Sequence, residues 1–552
     1  MSLAKSWISN CLESHPQCQK KAYNILPDRV IFIDRGVNPR LIENHSRELT
    51  GKYAALSYCW GGHVAMQLKK DNIDVFKQSM GFDDLPKTFQ DAITVCVALD
   101  IEYVWIDALC IIQDSAEDWA VQGSKMAQIY SDCVITIAAD TAANTRAGFL
   151  KMRPDSLRSS VVRVRSEQAQ KTGEGSAQNI EVYIRRDREL TYAGGFPHHY
   201  FLHPERDGPA EHDELQSHLS NRGWCFQESI LPTRTLHFAQ DEICWTCTTD
   251  SFCECSSGSI APKKRSFSEQ GRVIDRARLK EDWPNVISEY TRRSFTFWSD
   301  RLAAMAGLAA YVNSQHPHAV YLAGLWFDEL PISLLWSCSQ QARKSERIKP
   351  YIAPSWSWAS ITGQAQLSHP SWYATKDQSR LEIVKADCFP AGPNVYGAVE
   401  HATLIVKGVV FRVRLLEVYD DGAGFELVRI HGRDETSDTH DVDGYGVFDV
   451  PDELCVWEES TSDKDGSNED GSDEDSPDEG TSAAQVPGDF TMLNVLGYEC
   501  FWILRPTQRK EVQGAFERVG YFNGSKNSGE NKTSAMNAKA QALGEMKQME
   551  LV

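Results

Sequence analysis

YAALSYCWGG (residues 53–62) and YVWIDALCIIQD (residues 103–114) are the two apolar runs whose reading decides the fold. The first ends on paired glycines, so residues 53–60 read as a buried strand feeding a tight turn. Between the runs, LPKTFQDAITVCVALD (85–100) places Pro86 at a first helical turn, and Phe89, Ala92, Ile93, Cys96 and Val97 recur at helical spacing. The second run reads as a buried strand over 103–112. Asp114 and Ser115 are cap residues, and Glu117 and Asp118 suit the first turn of a helix expected to reach Tyr130. CVITIAAD (133–140) is a third strand. Strand, helix, strand, helix, strand at these lengths predicts a parallel α/β sheet.

Outward from this block the pattern loosens. RVIFID (Arg29–Asp34) is strand-like, and RTLHF with EICWTC (Arg234–Cys247) predicts a hairpin. Residues 166–220, with the pair His198 and His199, read as surface loop with short strands, and 267–315 as a helical region. Beyond Ala402, β-branched and aromatic runs follow one another closely, which predicts a smaller antiparallel β region near the carboxyl terminus. The expected division is an extension over 1–50, an α/β domain over 51–250, a helical and Trp-rich extension over 251–400, the antiparallel region over 401–522, and a disordered tail over 523–552.

The chain has 552 residues, 41 % apolar and 24 % charged, the balance of a globular protein. Its 57 Lys and Arg face 77 Asp and Glu, for a net charge of −20. Pro451–Gly480 holds 13 carboxylates against one Lys, so −12 sits in one tract and −8 remains for everything else. The excess acid excludes a general phosphate-backbone binder, and no nucleic-acid partner is expected. A disordered acidic insertion is expected over 458–488, where Ser467, Ser472 and Ser476 fit acid-directed phosphorylation. No stretch approaches the ~18–20 apolar residues that span a bilayer, and the amino terminus lacks the apolar core of a secretory signal. The 15 cysteines form no dense framework. Cys96, Cys110 and Cys133 lie in apolar runs and read as reduced core residues of an intracellular, cytoplasmic or nuclear protein.

At this point the residues resemble the fungal heterokaryon-incompatibility (HET) domain family. The resemblance rests on YAALSYCWGG, LPKTFQDAI (85–93), YVWIDALCIIQD, Asp118-Trp119, MAQIYSDC (126–133) and VITIAAD (134–140). NRGWCFQE (221–228), DRLAAMAGLA (300–309), YLAGLW (321–326) and APSWSWAS (353–360) are also similar to long members, so most of 1–365 is covered. The resemblance implies a role in fungal nonself recognition, in which contact between incompatible partners triggers programmed cell death. It also implies a distant relation to Toll/interleukin-receptor (TIR) domains, some of which cleave NAD at the nicotinamide–ribose bond, and hence a TIR-like parallel-sheet domain.

Open α/β sheets bind ligands beyond the carboxyl ends of their strands. That rule selects Asp107, Cys110, Asp114 and Trp119, with Ser57 and Trp60 from the first strand's turn, as candidate ligand-binding residues. Trp119, Gln122, Met126 and Ile129 share one helical stripe, on which Gln122 is a polar exception. The bland reading of Gln122 is a buried amide satisfied by its neighbours. Family members commonly carry Glu at this position, and in TIR-type cleavage a Glu on the corresponding helix engages the ribose. Gln122 therefore implies an impaired site, with Asp118 as substitute carboxylate, and restoring Glu at 122 is expected to raise any NAD turnover. Cys59 and Cys110 are poor nucleophile candidates, since no His lies close in sequence to Cys110 and Cys59 has only His63, four residues on. Arg222, Trp224, Gln227 and Glu228 read as a structural or interface network in preference to the far wall of the ligand site, and the two tryptophans of PSWSWAS as one strand face at an interface.

Zinc is disfavoured on spacing. Cys244, Cys247, Cys253 and Cys255 are four thiols within twelve residues, whereas zinc sites draw on two more widely separated pairs. Cys11, His15 and Cys18 offer three ligands and no fourth, so a helix packing its cysteines inward is preferred. Three functions compete on these grounds. The favoured one is a signalling or death-effector protein that works by self-assembly or contact with a protein partner. Its alternatives are a weak NAD or nucleotide glycohydrolase and a zinc-dependent binding module.

Overall fold

The computed structural model describes residues 1–19, 24–62, 66–151, 160–165, 179–184, 217–239, 243–254, 278–338, 345–367, 381–420, 426–432, 440–448, 456–457, 483–485, 489–496, 500–507, 509, 514–523 and 545–552. They fall into two compact units, Met1–Arg276 and Ala277–Val552.

The first unit is built on one mixed eight-stranded sheet. Its strands are β1 (Arg29–Phe32), β2 (Arg40–Glu43), β3 (Tyr53–Ser57), β4 (Tyr103–Trp105), β5 (Ile135–Ala138), β6 (Arg234–Phe238), β7 (Ile243–Cys247) and β8 (Ser251–Cys253), in the order β8-β7-β6-β5-β3-β4-β1-β2. The pairs β3–β4, β3–β5 and β5–β6 are parallel. β1 and β2 on one side, and β7 and β8 on the other, are added antiparallel. The three strands expected to be parallel, β3, β4 and β5, are so, and the antiparallel strands added at both edges make the sheet as a whole a mixed one. β3 and β5 are buried along their whole length, which is why they read as continuous apolar runs.

The helices of this unit are α1 (Ser2–Ser14), α2 (Lys87–Ala98), α3 (Ala116–Asp132) and α4 (Gly223–Ile230). α2 buries Phe89, Ala92, Ile93 and Cys96. α3 starts where Ser115 accepts a bond from the Asp118 backbone N–H, and it is tied to the sheet through Tyr130 Oη, which donates to Leu56 O at 3.0 Å. The strand expected over 103–112 stops at Trp105, and Asp107–Cys110 is a single helical turn. Ala108, Leu109, Cys110 and Ile111 are all buried, so their apolarity reports burial and not backbone conformation. The first fifty residues supply α1, β1 and β2 to this unit and are not a separate extension.

The second unit combines helices α5 (Trp283–Thr291) and α6 (Ala306–Gln315) with a sheet that is antiparallel apart from one parallel pairing, Phe516 with Leu551, and the helical region expected as one block is broken between them. Val399–Asp420 is the central strand, pairing with Glu382–Pro390, Glu426–Gly432, Asp489–Leu496 and Glu545–Leu551. Trp283, Trp326, Trp336, Trp356, Trp358 and Trp502 are fully buried in this unit. PSWSWAS is not a strand: Trp358–Ser360 is a 3-10 turn whose Trp358 Nε1 donates to Gly324 O at 3.1 Å. Gly324 has a φ of +101°, and a Cβ there would lie 2.5 Å from that indole nitrogen. The tail expected to be disordered ends in the strand Glu545–Leu551, held because Met549, Leu551 and Val552 are apolar and buried. Residues 166–178, 185–216, 458–482 and 524–544, where the surface loop, most of the acidic insertion with its serines, and the rest of the tail were expected, lie outside the described residues. Among the described residues no helix is long and apolar enough to cross a membrane.

Candidate functional site

The chain leaves β3 toward β4 on one side of the sheet order and leaves β5 toward β6 on the other. The carboxyl ends of the adjacent strands β3 and β5 therefore flank a topological switch point, where open α/β sheets place ligands. Ser57 closes β3 here, and its Oγ donates to Glu228 Oε2 of α4 at 2.5 Å. At the next residues Tyr58 Oη donates to Asp107 Oδ1 at 2.6 Å and Trp60 Nε1 to Asp107 Oδ2 at 2.7 Å. Arg222, which caps the start of α4, donates from Nη1 to Tyr58 O at 3.3 Å. Gly61 turns the chain away with a φ of +67°, and a Cβ there would lie 2.0 Å from Asn144 Cβ.

Two clusters read separately in the sequence thus meet. Ser57, Trp60 and Asp107 from the strand ends share one network with Arg222 and Glu228. Burial raises the Glu228 carboxyl to about 7, and the nearby Asp107 charge adds to this against the opposing pull of Ser57 and Arg222. Burial also raises Asp107, although Tyr58, Trp60 and the Ala108 N–H favour its ionised form. The result is two carboxyl groups of unequal acidity at one strand end, the arrangement that acid–base chemistry uses. Gln227 is buried beside them, and its Nε2 has no partner among the described residues. At the same carboxyl end of the sheet, just past β5, Asp140 pairs with His237 Nδ1 at 3.2 Å, a contact that had no signature in the sequence.

The remaining candidates stand elsewhere. Gln122 is buried on α3, and its Nε2 donates to Asp28 Oδ2 at 3.1 Å, on an acid that also pairs with Lys125. Asp118 takes both terminal nitrogens of Arg29, at 2.9 and 2.7 Å, and the Ile112 N–H at 2.8 Å. Burial alone would raise its carboxyl, but Arg29 and the Ile112 N–H hold it below the usual range. Cys110 is buried, its thiol pushed up to about 12, and its carbonyl accepts from Arg29; burial raises Cys59 as well, so neither is a ready nucleophile. Asp114 accepts the Lys70 N–H at 3.0 Å. Trp119 is exposed and meets Trp224 edge to face at 5.7 Å.

Cys244 sits opposite Cys253 in the β7–β8 ladder, and Cys255 lies outside the described residues. Cys247 instead joins Cys11, His15 and Cys18, the three ligands that lacked a fourth, with all four ligand atoms within 4.8 Å of one another.

The family model described as heterokaryon incompatibility protein (HET) matches residues 53–228, and so supports the HET family for this part of the chain. The matched segment opens at the start of β3 and closes on Glu228 itself. No curated protein and no solved structure matches the chain.

Proposed function

We propose that this HET-type chain is an effector or signalling protein of fungal nonself recognition, acting in the cytoplasm or nucleus. It promotes programmed cell death through self-assembly or contact with a protein partner, and not chiefly through catalysis. The observation that carries the reading is the HET match over 53–228, whose two ends meet in the Ser57–Glu228 network. Resemblance to TIR domains makes NAD the substrate to consider. Its cleavage needs negative charge beside an oxocarbenium-like carbon. Gln122 has no such charge and is engaged by Asp28, and Asp118 is held by Arg29. Purified protein is expected to leave NAD intact with or without forced clustering, while clustering in a fungal host kills cells. Robust NAD turnover that Gln122→Ala abolishes would overturn the reading.

A second reading, a weak NAD or nucleotide glycohydrolase, is favoured by one observation. Glu228, near neutrality in its acidity and close to Asp107, is suited to hold a proton at the strand ends. Slow glycosidic cleavage lost in Glu228→Gln, with the fold intact, would select it.

A further inference from the structure

We propose that Cys11, His15, Cys18 and Cys247 bind one zinc ion that staples the amino-terminal helix to the β7–β8 hairpin. All four residues are buried, and their ligand atoms lie within 4.8 Å of one another. Zinc bonds of about 2.3 Å to sulfur and 2.0–2.1 Å to nitrogen, at tetrahedral angles, put adjacent sulfur and nitrogen ligands about 3.5 Å apart. His15 Nδ1 and Cys247 Sγ are 3.5 Å apart. Small movements of the other ligands complete the tetrahedron.

The backbone explains why three nearby residues converge. Cys11 lies in the last turn of α1, His15 leaves the helix in an extended conformation, and Cys18 ends the 3-10 turn Pro16–Cys18. This corner turns Cys-x3-His-x2-Cys into a three-ligand cup, a shape that a continuous helix would not give. Cys247 enters from the end of β7, where the turn aims the Asp250 backbone N–H at its sulfur, 3.1 Å away.

The surroundings suit a metal–thiolate centre. His15 Nε2 is 2.7 Å from Asp250 Oδ2, so a proton held there leaves the Nδ1 lone pair facing the sulfurs. A carboxylate behind a ligating histidine is the usual second layer of a zinc site. Arg234, itself buried, donates from Nε to Cys11 Sγ at 3.2 Å and from Nη2 to Cys18 O at 2.5 Å. Zinc with three thiolates carries one net negative charge, which this guanidinium balances. Thr249 Oγ1 adds a 3.5 Å contact to Cys18 Sγ. A disulfide uses two sulfurs and leaves the third thiol and the imidazole without a role. Three soft sulfurs and one nitrogen with no open position select structural zinc over oxygen-seeking cations.

The test uses the full chain, purified under reducing conditions without chelator, with zinc measured by mass spectrometry. One zinc per chain is expected, falling below a tenth in Cys18→Ser and Cys247→Ser and unchanged in Cys96→Ser. Because the serine variants risk misfolding, two further measurements stand beside them. Cobalt exchanged into the wild-type chain should give the intense thiolate-to-metal absorption of a tetrahedral centre. Asp250→Asn should bind zinc 10–100-fold more weakly, the loss typical of a second-layer partner. Wild-type protein that neither carries zinc nor takes it up would overturn the proposal. So would zinc retained in full by Cys18→Ser and Cys247→Ser.

Discussion

Ser57 and Glu228 are joined by a 2.5 Å hydrogen bond across 171 residues of sequence, and this bond fixes α4 over the carboxyl end of β3. Glu228 gives up its proton less readily in the fold than in the unfolded chain, so the native state binds more protons between pH 4.5 and about 7. Stability therefore falls as pH rises through that window and levels off above it. The displacement from 4.5 to about 7, at about 1.4 kcal/mol per pH unit, corresponds to about 3–4 kcal/mol. Glu228→Gln keeps an acceptor for Ser57 and removes the titration. Its thermal midpoint should change less between pH 5 and pH 8 than that of the wild type, as calorimetry would read.

Gln122→Glu is expected to destabilise the first unit by about 1–2 kcal/mol without conferring NAD turnover. The new carboxylate would replace an N–H donor with a charge facing Asp28, leaving Lys125 to serve two acids. Denaturant unfolding and an NAD assay on the same sample separate the two effects. A gain in turnover would return Gln122 to the catalytic position that the sequence suggested.

Asp118→Ala leaves the buried Arg29 without its bidentate partner, a loss of about 3–5 kcal/mol by precedent for broken buried pairs. Since the Asp118 carboxyl is held below its ordinary pKa, the wild-type contribution is present above the unfolded value and disappears as pH falls. The gap in midpoint between wild type and variant should accordingly narrow toward pH 3.

Removal of residues 545–552 strips a strand from Leu404–Val410 and uncovers the sites of Met549, Leu551 and Val552. At roughly 1.5–3 kcal/mol for each large apolar side chain, the second unit should lose on the order of 5 kcal/mol. A lowered calorimetric transition and faster proteolysis within 277–544 would show it. Unchanged behaviour would mean that this strand contributes nothing.

The central strands, the hairpin at 234–247 and the start of α3 were legible because period, breaker and cap residues coincide there. Three features were not. Asp107–Cys110 is as apolar as a strand, and its helical turn rests on backbone bonds from Cys110 N–H to Ile106 O and from Ile111 N–H to Asp107 O that composition does not announce. Glu545–Leu551 alternates polar and apolar residues weakly, and it becomes a strand because Val399–Asp420 offers it an edge. For the site, Ser57, Trp60 and Asp107 follow from the rule about strand ends, whereas their union with Arg222 and Glu228 depends on how α4 returns to the sheet. No local pattern encodes that return. Gln122 was placed by family analogy, and the Asp28 contact that decides its environment lies 94 positions away.

Helix α1 is made long before the groups it packs against and can dock only late. Its Trp7 ring stacks on Phe252, and Cys11 and Cys18 meet Cys247 and Arg234, all of which leave the ribosome more than two hundred residues afterward. At about 5–20 residues per second, α1 and the turn after it wait on the order of ten seconds or more before Cys11 and Cys18 are covered. During that interval the emerging chain depends on the reducing power of its surroundings and on whatever shields a nascent apolar helix. Closure of this end is thus a late checkpoint in biogenesis, passed only by chains whose synthesis has run through the far edge of the sheet.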